Sequence, residues 1–180
     1  MPAPRKTAVL ASYLMIVLDI SIVITALHYE LGELMQLTKN SETMPGPSDW
    51  FTGTVHIDTV AAPSEPSRLS ASSVHFTPGA RTAWHTHPNG QTIYVTEGVG
   101  LCQRRGGAIE VIHPGDRVFF EPGEDHWHGA TPSRFMTHLA MLDVDEEGNN
   151  ATWGEHVTDE EYAAVPRSSA MRLTVPTGGS

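Results

Sequence analysis

The chain has 180 residues, enough for one domain with a real hydrophobic core. Its formal charge of −10 leaves no basic patch to neutralise phosphates, which argues against nucleic acid as a partner. The single cysteine, Cys102, rules out an intramolecular disulfide and any cysteine-rich zinc site; in its strand-like context it reads as a small core residue. Sixteen Gly and 13 Pro beside short β-branched runs point to many short strands joined by tight turns.

In chain order, Arg5 and Lys6 precede Ala8 to Leu27, a stretch apolar except for Asp19 and a few hydroxyls. It is long enough to cross a bilayer, and the flanking charges would leave the N-terminus in the cytoplasm. The wording SYLMIVLDISIVITAL resembles the first transmembrane helix of drug:proton antiporters of the major facilitator superfamily, with Asp19 at that family's intramembrane acid. One such helix transports nothing. Residues 1–34 are therefore either a membrane anchor or a mis-called start or gene fusion. The second reading is favoured, because Asp19 is costly in a lone anchor and Met35 can open a soluble chain. On it the protein is cytoplasmic, and a membrane is a partner only if residues 8–27 are retained.

Residues 35–49 are polar, carry Pro45-Gly46-Pro47, and read as a linker or arm. Strand composition follows at Trp50 to Val60 and at Leu69 to Thr77, with a loop at Ala61 to Ser67 between them. Gln91 to Thr96 and Val99 to Arg104 suggest a hairpin across Glu97-Gly98. Ala108 to His113, Arg117 to Glu121 and Arg134 to Leu142 are further strands, punctuated by Gly106-Gly107, Pro114-Gly115-Asp116 and Pro122-Gly123. Turn signals at this spacing predict an all-β sandwich or barrel over residues 50–165. One short helix is expected after Thr158, where Thr and Glu161 three apart fit a capping box. Residues 166–180 are Ser/Gly-rich and predicted to be a disordered tail.

The chemistry concentrates in GARTAWHTHPNGQTIYVTEG, Gly79 to Gly98. On a strand, His85 and His87 share a face; on a helix the same spacing would splay them by roughly 200°. Pro88-Asn89-Gly90 is turn chemistry that can return Gln91 beside the pair. Neutral imidazoles and an amide oxygen are credible ligands for a divalent transition metal. His126 and His128 repeat the spacing after the Pro122-Gly123 turn, and His138 follows on the last long strand, in alternation with Met136, Ala140 and Leu142. Burying several imidazoles without a partner is expensive, and a shared metal resolves that cost.

These residues resemble a known family. Gly79-(x5)-His85-x-His87-(x3)-Gln91-(x6)-Gly98 matches the first cupin motif at every spacing, with Gln where Glu is usual. Gly115 to His126 resembles the second motif, with one extra residue before the proline and Ala130 where Asn is usual. The resemblance implies a single-domain cupin, a double-stranded β-helix or jelly-roll barrel, with His85, His87, Gln91 and His126 as metal ligands. From Asp49 to about Tyr162 the chain is also similar to the bacterial cupin-type hydroxynitrile lyases, through DWFTGTV, GAIEVIHPGD, PGEDHWHGA, MTHLA and EHVTDEEY. That similarity implies a manganese-bound barrel that cleaves (R)-cyanohydrins to an aldehyde and hydrogen cyanide, with His138 at the catalytic histidine.

Three imidazoles and a neutral amide leave the full dipositive charge on the metal, suiting it to a substrate oxygen. Iron, nickel and zinc accept the same ligands as manganese. His138 would take the hydroxyl proton, its ordinary pKa near 6.5 suiting a base at neutral pH. His128 would bind departing cyanide, order the ligand shell, or simply hydrogen-bond across the barrel mouth. Val74, Met136 and Leu142 are expected pocket walls. Trp84 and Trp127 are expected to pack outside, and Arg81 to form a surface ion pair. The expected partner is a small cyanohydrin or aldehyde. The open edges of such a barrel suggest a homodimer or higher homo-oligomer. The competing functions are a cupin dioxygenase or decarboxylase acting on a small organic acid, and a metal-binding cupin of non-catalytic role.

Overall fold

The computed structural model describes residues 37–164. The expected helix over 8–27 and the tail over 166–180 lie outside the described residues. Among the described residues no helix is long and apolar enough to cross a membrane.

Twelve strands run in order: β1 (Met44–Pro45), β2 (Phe51–Thr52), β3 (Val55–Ala61), β4 (Leu69–Phe76), β5 (Arg81–Thr86), β6 (Gln91–Gly98), β7 (Gly100–Arg104), β8 (Glu110–Ile112), β9 (Arg117–Phe120), β10 (His126–Ala130), β11 (Met136–Asp143) and β12 (Thr152–His156). Helix α1 (Asp159–Ala163) closes the described chain. One sheet has the order β1-β3-β4-β11-β6-β9; the other has β12-β5-β10-β7-β8, with β2 also paired to β5. All pairings are antiparallel, and strands near in sequence often lie in opposite sheets, as in a jelly roll.

The expected hairpin of Gln91–Thr96 with Val99–Arg104 does not form. β6 pairs with β11 and β9, and β7 pairs with β10 and β8 in the other sheet. The turn at Gly98 is thus a corner between sheets. Gly98 has φ +77°, and a Cβ there would run into the Phe135 carbonyl, so only glycine lets the strand pass this close. Beyond the corner, Val99 N donates to Phe135 O at 3.0 Å, and Thr131 N donates to Val99 O at 3.1 Å.

Near the C-terminal end of the segment read as a linker or arm, β1 pairs with β3. Met44 and Pro45 lie opposite Ile57 and His56, and Gly46 N donates to Val55 O at 2.8 Å. The predicted helix forms with both halves of its capping box: Glu161 N donates to Thr158 Oγ1, and Thr158 N donates to the Glu161 carboxylate.

Two buried clusters flank the second sheet. Between the sheets lie Phe51, Val55, Val74, Phe76, Ile93, Val95, Cys102, Ile112, Phe120 and Met136. Outside the second sheet, under α1, lie Trp84, Leu101, Ile109, Trp127, Val157 and Tyr162, which places both tryptophans where alternation predicted. Arg81 departs from expectation. Only 6% of its side chain is exposed; it donates to Val157 O from Nε (3.2 Å) and Nη2 (2.9 Å), pairs with Asp159 at 2.7 Å, and sits over the Tyr162 ring. The ion pair exists, but its arginine is a buried clamp on α1. The helix that covers it was too short to signal that burial in the sequence.

Candidate metal and substrate site

Inward-facing positions of four strands, with one residue from a turn, converge between the sheets. His85 lies on β5, Gln91 opens β6, His126 and His128 lie on β10, and His138 lies on β11. His87 sits in the β5–β6 turn, which Gly90 closes by donating to His87 O at 3.3 Å. A side chain at Gly90, whose φ is +77°, would meet the Phe120 carbonyl. Register explains why β10 comes in beside β5: His126 stands opposite His85.

All five histidines and Gln91 are buried. Their rings form a continuous group, with centroids of 4.3 Å for His85–His126, 5.0 Å for His85–His87, 5.5 Å for His87–His126 and 5.3 Å for His85–His128. The tightest set of ligand atoms is His85, His126 and His128, all within 4.8 Å of one another. Gln91 Oε1 lies 3.3 Å from His126 Nε2.

Hydrogen bonds orient these rings in two different ways. His85 Nδ1 faces Ala83 O at 3.0 Å, His87 Nδ1 faces Asn150 O at 2.6 Å, and His126 Nδ1 faces Glu124 O at 2.7 Å. A carbonyl can only accept, so each Nδ1 carries the proton and each Nε2 keeps a lone pair. His87 Nε2 is buried with no partner among the described residues. This pattern, Nδ1–H anchored on backbone and Nε2 directed away, is how metal-ligating imidazoles are held. His128 Nδ1 instead lies 3.2 Å from His138 Nε2, leaving His128 Nε2 and His138 Nδ1 without partners among the described residues.

Burial makes every one of these imidazoles a weaker base. It pushes His138 and His126 down to about 4, and His87 down as well. His85 and His128 lie well below the ordinary histidine value, first through burial and then through the crowding of neighbouring imidazoles. The expectation of an unperturbed value near 6.5 for His138 is therefore corrected: the ring is neutral across the physiological range and a weaker base than a solvated histidine.

A cavity of about 190 Å³ opens beside the histidines. For scale, a cavity of about 150 Å³ holds benzene, so this one suits a molecule with a single ring. His85, His87, Gln91, His128 and His138 line one side; Val74, Ala140, Leu142, Ile57 and Phe51 supply apolar walls. Val74 and Leu142, named as candidate pocket walls, are among the residues lining this cavity. Met136 does not line the cavity. It is fully buried opposite Phe76, one row deeper than His138, and its sulfur fills the space a side chain on Gly100 would need. Alternation identified the correct face of β11 but not the depth at which the barrel closes.

Sequence reasoning missed Trp50, Trp153, Asn150, Thr82, Ser70 and Ser72 around this cavity. Trp153 is stacked on both sides, against His85 (4.6 Å, 24°) and Trp50 (5.1 Å, 5°), so it braces a candidate ligand. Its strand, β12, was not anticipated, since TWGEH carries little alternation. Asn150 acts through its carbonyl, which no side-chain pattern can announce. The serines alternate with Val74 and were legible in principle.

Fold and site together define a jelly-roll barrel with a histidine-lined interior. The cupin domain profile matches residues 72–142. The chain is 59% identical over 117 residues to an (R)-mandelonitrile lyase from Granulicella tundricola, covering 65% of this chain and 88% of the relative. A cupin-like protein from Thermotoga maritima superposes with a TM-score of 0.64 at 34% identity, over 74% of this chain and 99% of that one. A cupin 2 conserved barrel domain protein from Rhodopseudomonas palustris shares the fold at a TM-score of 0.54 and 16% identity, over 70% and 90% of the two chains. The chain belongs to the cupin family, and its likeness to the cupin-type hydroxynitrile lyases stands.

Proposed function

We propose that the protein is a metal-dependent lyase that cleaves (R)-cyanohydrins to an aldehyde and hydrogen cyanide. The observation that carries the reading is the His128–His138 pair, two neutral imidazoles bonded to each other at the wall of a one-ring cavity beside a second, metal-competent imidazole set. The 59% identity to a lyase of that name supports it.

The donor chemistry fits a divalent ion held by His85, His87, Gln91 and His126, manganese first and iron, nickel or zinc also accepted. Three anchored Nδ1–H groups and the unpartnered His87 Nε2 support this set. His128 is close to His85 and His126 and its Nε2 is unpartnered too, but its Nδ1 bonds a second imidazole, His138, rather than a backbone carbonyl, and on that ground we assign it to the catalytic pair. When bound, such an ion would act as a Lewis acid toward a substrate hydroxyl or carbonyl oxygen.

The residues then divide the proton chemistry. With the shared proton on His138 Nε2 and donated to His128 Nδ1, His138 Nδ1 is free to accept and His128 Nε2–H is free to donate. His138 takes the hydroxyl proton as the O–H pair becomes the C=O bond and the C–CN pair leaves with cyanide. His128 Nε2–H steadies the departing anion, and the proton held by His138 returns to it as hydrogen cyanide leaves. Val74, Ala140 and Leu142 keep water from the reacting carbon. A weak base suffices because the ring is always in its accepting form. A homo-oligomer that covers the sheet edges is part of this reading.

The test is turnover of (R)-mandelonitrile with and without dioxygen, before and after chelation. Full anaerobic turnover that chelation abolishes is the expected result. A dioxygen requirement would move the protein to the dioxygenase class. Turnover that survives complete metal removal would refute the metal-dependent mechanism.

A further inference from the structure

The sheet that faces His85 and His128, and that carries His138 on the neighbouring strand, lines the cavity with two hydroxyls that have no assigned task. Ser70 and Ser72 on β4 both line the cavity, in alternation with Val74. Neither side chain has a hydrogen-bond partner among the described residues, and each is only partly buried. Packing does not call for serine here, since alanine or valine would fill the same wall without a polar atom to satisfy.

The sheet register fixes where these hydroxyls lie relative to the chemistry. Ser72 stands opposite Ala140, and Ser70 opposite Leu142. Across the next strand, Ala140 faces Ile93 and Met141 faces Thr92, which puts Leu142 level with Gln91. Ser70 is therefore in the same row as the candidate ligand Gln91 but two strands away, a separation of about 9–10 Å. Ser72 is one inward position deeper, a row short of His138, which stands opposite Val74. Leu142 lies between Ser70 and Gln91 in that row, and Ala140, between Ser72 and Ile93 in the next, has a single methyl that leaves room beside it for a flat ring. The span matches an aryl cyanohydrin whose carbinol oxygen sits at the histidines and whose ring reaches across β11.

We propose that Ser70 and Ser72 form a polar subsite for a hydrogen-bonding substituent on the far side of the substrate ring, so that the favoured substrates are ring-hydroxylated aryl cyanohydrins and their phenolic aldehydes. This rests on the lyase reading for the reaction but not for the binding. A phenolic O–H donates to one serine oxygen and its oxygen accepts from the other serine. A net hydrogen bond of this kind is worth a discrimination of about 2–12-fold between ring-hydroxylated and parent compounds.

The test compares 4-hydroxybenzaldehyde with benzaldehyde by calorimetry on the metal-loaded protein, and 4-hydroxymandelonitrile with mandelonitrile by kcat/KM. The wild type should favour the hydroxylated member of each pair by several-fold. S70A/S72A should bring both ratios close to one, whereas S70T/S72T, which keeps the hydroxyls, should retain them. Using ratios within each variant removes any general loss of activity or folding from the comparison. Ratios that S70A/S72A leaves unmoved, or a wild type that prefers the parent compounds, would overturn the subsite. If neither cyanohydrin is cleaved but the aldehyde binding ratio collapses in S70A/S72A, the subsite stands and the lyase reading falls. If both are cleaved at a ratio the serines do not govern, the reverse holds.

Discussion

The two faces of the second sheet are built from the same strands and do opposite things. On β10 the order His126-Trp127-His128 sends imidazoles inward and an indole outward; on β5, Trp84-His85 does the same. Outside, the tryptophans join Leu101, Ile109, Val157 and Tyr162 in an apolar cluster: Trp127 Nε1 donates to Gln103 at 2.8 Å and Tyr162 Oη donates to Ala130 O at 2.7 Å, while Trp84 Nε1 is buried without a partner among the described residues. Inside, nitrogens of His87, His128 and His138 are left without partners among the described residues. A period of two lets one strand serve a stabilising cluster and a reactive one at once. The outer face is mainly apolar, with one indole N–H unpartnered among the described residues; the inner face gathers three unpartnered imidazole nitrogens, which a ligand can use.

Variants on each face should separate these roles. The largest effect is expected from His85→Ala, which removes a candidate ligand at the centre of the ring group. Metal affinity should drop beyond the 10–100-fold that losing a supporting group typically causes, and cleavage should go with it, as elemental analysis and a turnover assay would show. His138→Ala should lower kcat by about 10²–10⁴-fold while metal content stays near wild type; lost metal would instead make His138 a ligand. Trp127→Ala should cost about 3–5 kcal/mol in denaturant unfolding, with the metal stoichiometry of the folded fraction unchanged. If that variant empties the site while remaining folded, the sheet does not partition the roles.

The smallest effect is a pH dependence of the metal-free protein. His126 and His138 have folded values of about 4, below the ordinary 6.5, so between those limits the unfolded chain binds more protons than the native one. Stability must then fall as pH drops from about 6.5 toward 4, slightly between pH 7 and 6 and more steeply below. Urea midpoints across this range would measure it. A midpoint constant down to pH 4 would mean the imidazoles are not held neutral. The same depression bears on any metal held by these imidazoles: the native rings resist protonation to lower pH than free histidine, so unfolding competes with release.

Much of this was legible because strand alternation is a strong local signal. His85, His87 and Gln91 could be grouped from a two-residue spacing and a Pro-Asn-Gly turn, and Trp84 and Trp127 placed outside by the same rule. What local pattern could not supply was depth and long-range pairing. Met136 shares the inward face of β11 but lies where the barrel is already closed. Gly98 reads as a hairpin turn until Phe135 is known to pass beside it. Arg81 looks like a surface charge until α1, far along the chain, is laid over it.

The hydrogen bond from His87 to the carbonyl of Asn150 ties one candidate ligand to the turn after β11. That turn is itself fixed by Asp145, which accepts from Glu147 N and Asn149 N, and by Asn89, whose amide donates to the Asp143 and Val144 carbonyls. Its length is therefore part of what sets the orientation of the His87 ring. Most surface loops absorb an inserted or deleted residue at little cost, but here one such change would slide the Asn150 carbonyl out from under the imidazole. A loop with no side chain in the chemistry is thus held to a fixed residue count by the ring it orients.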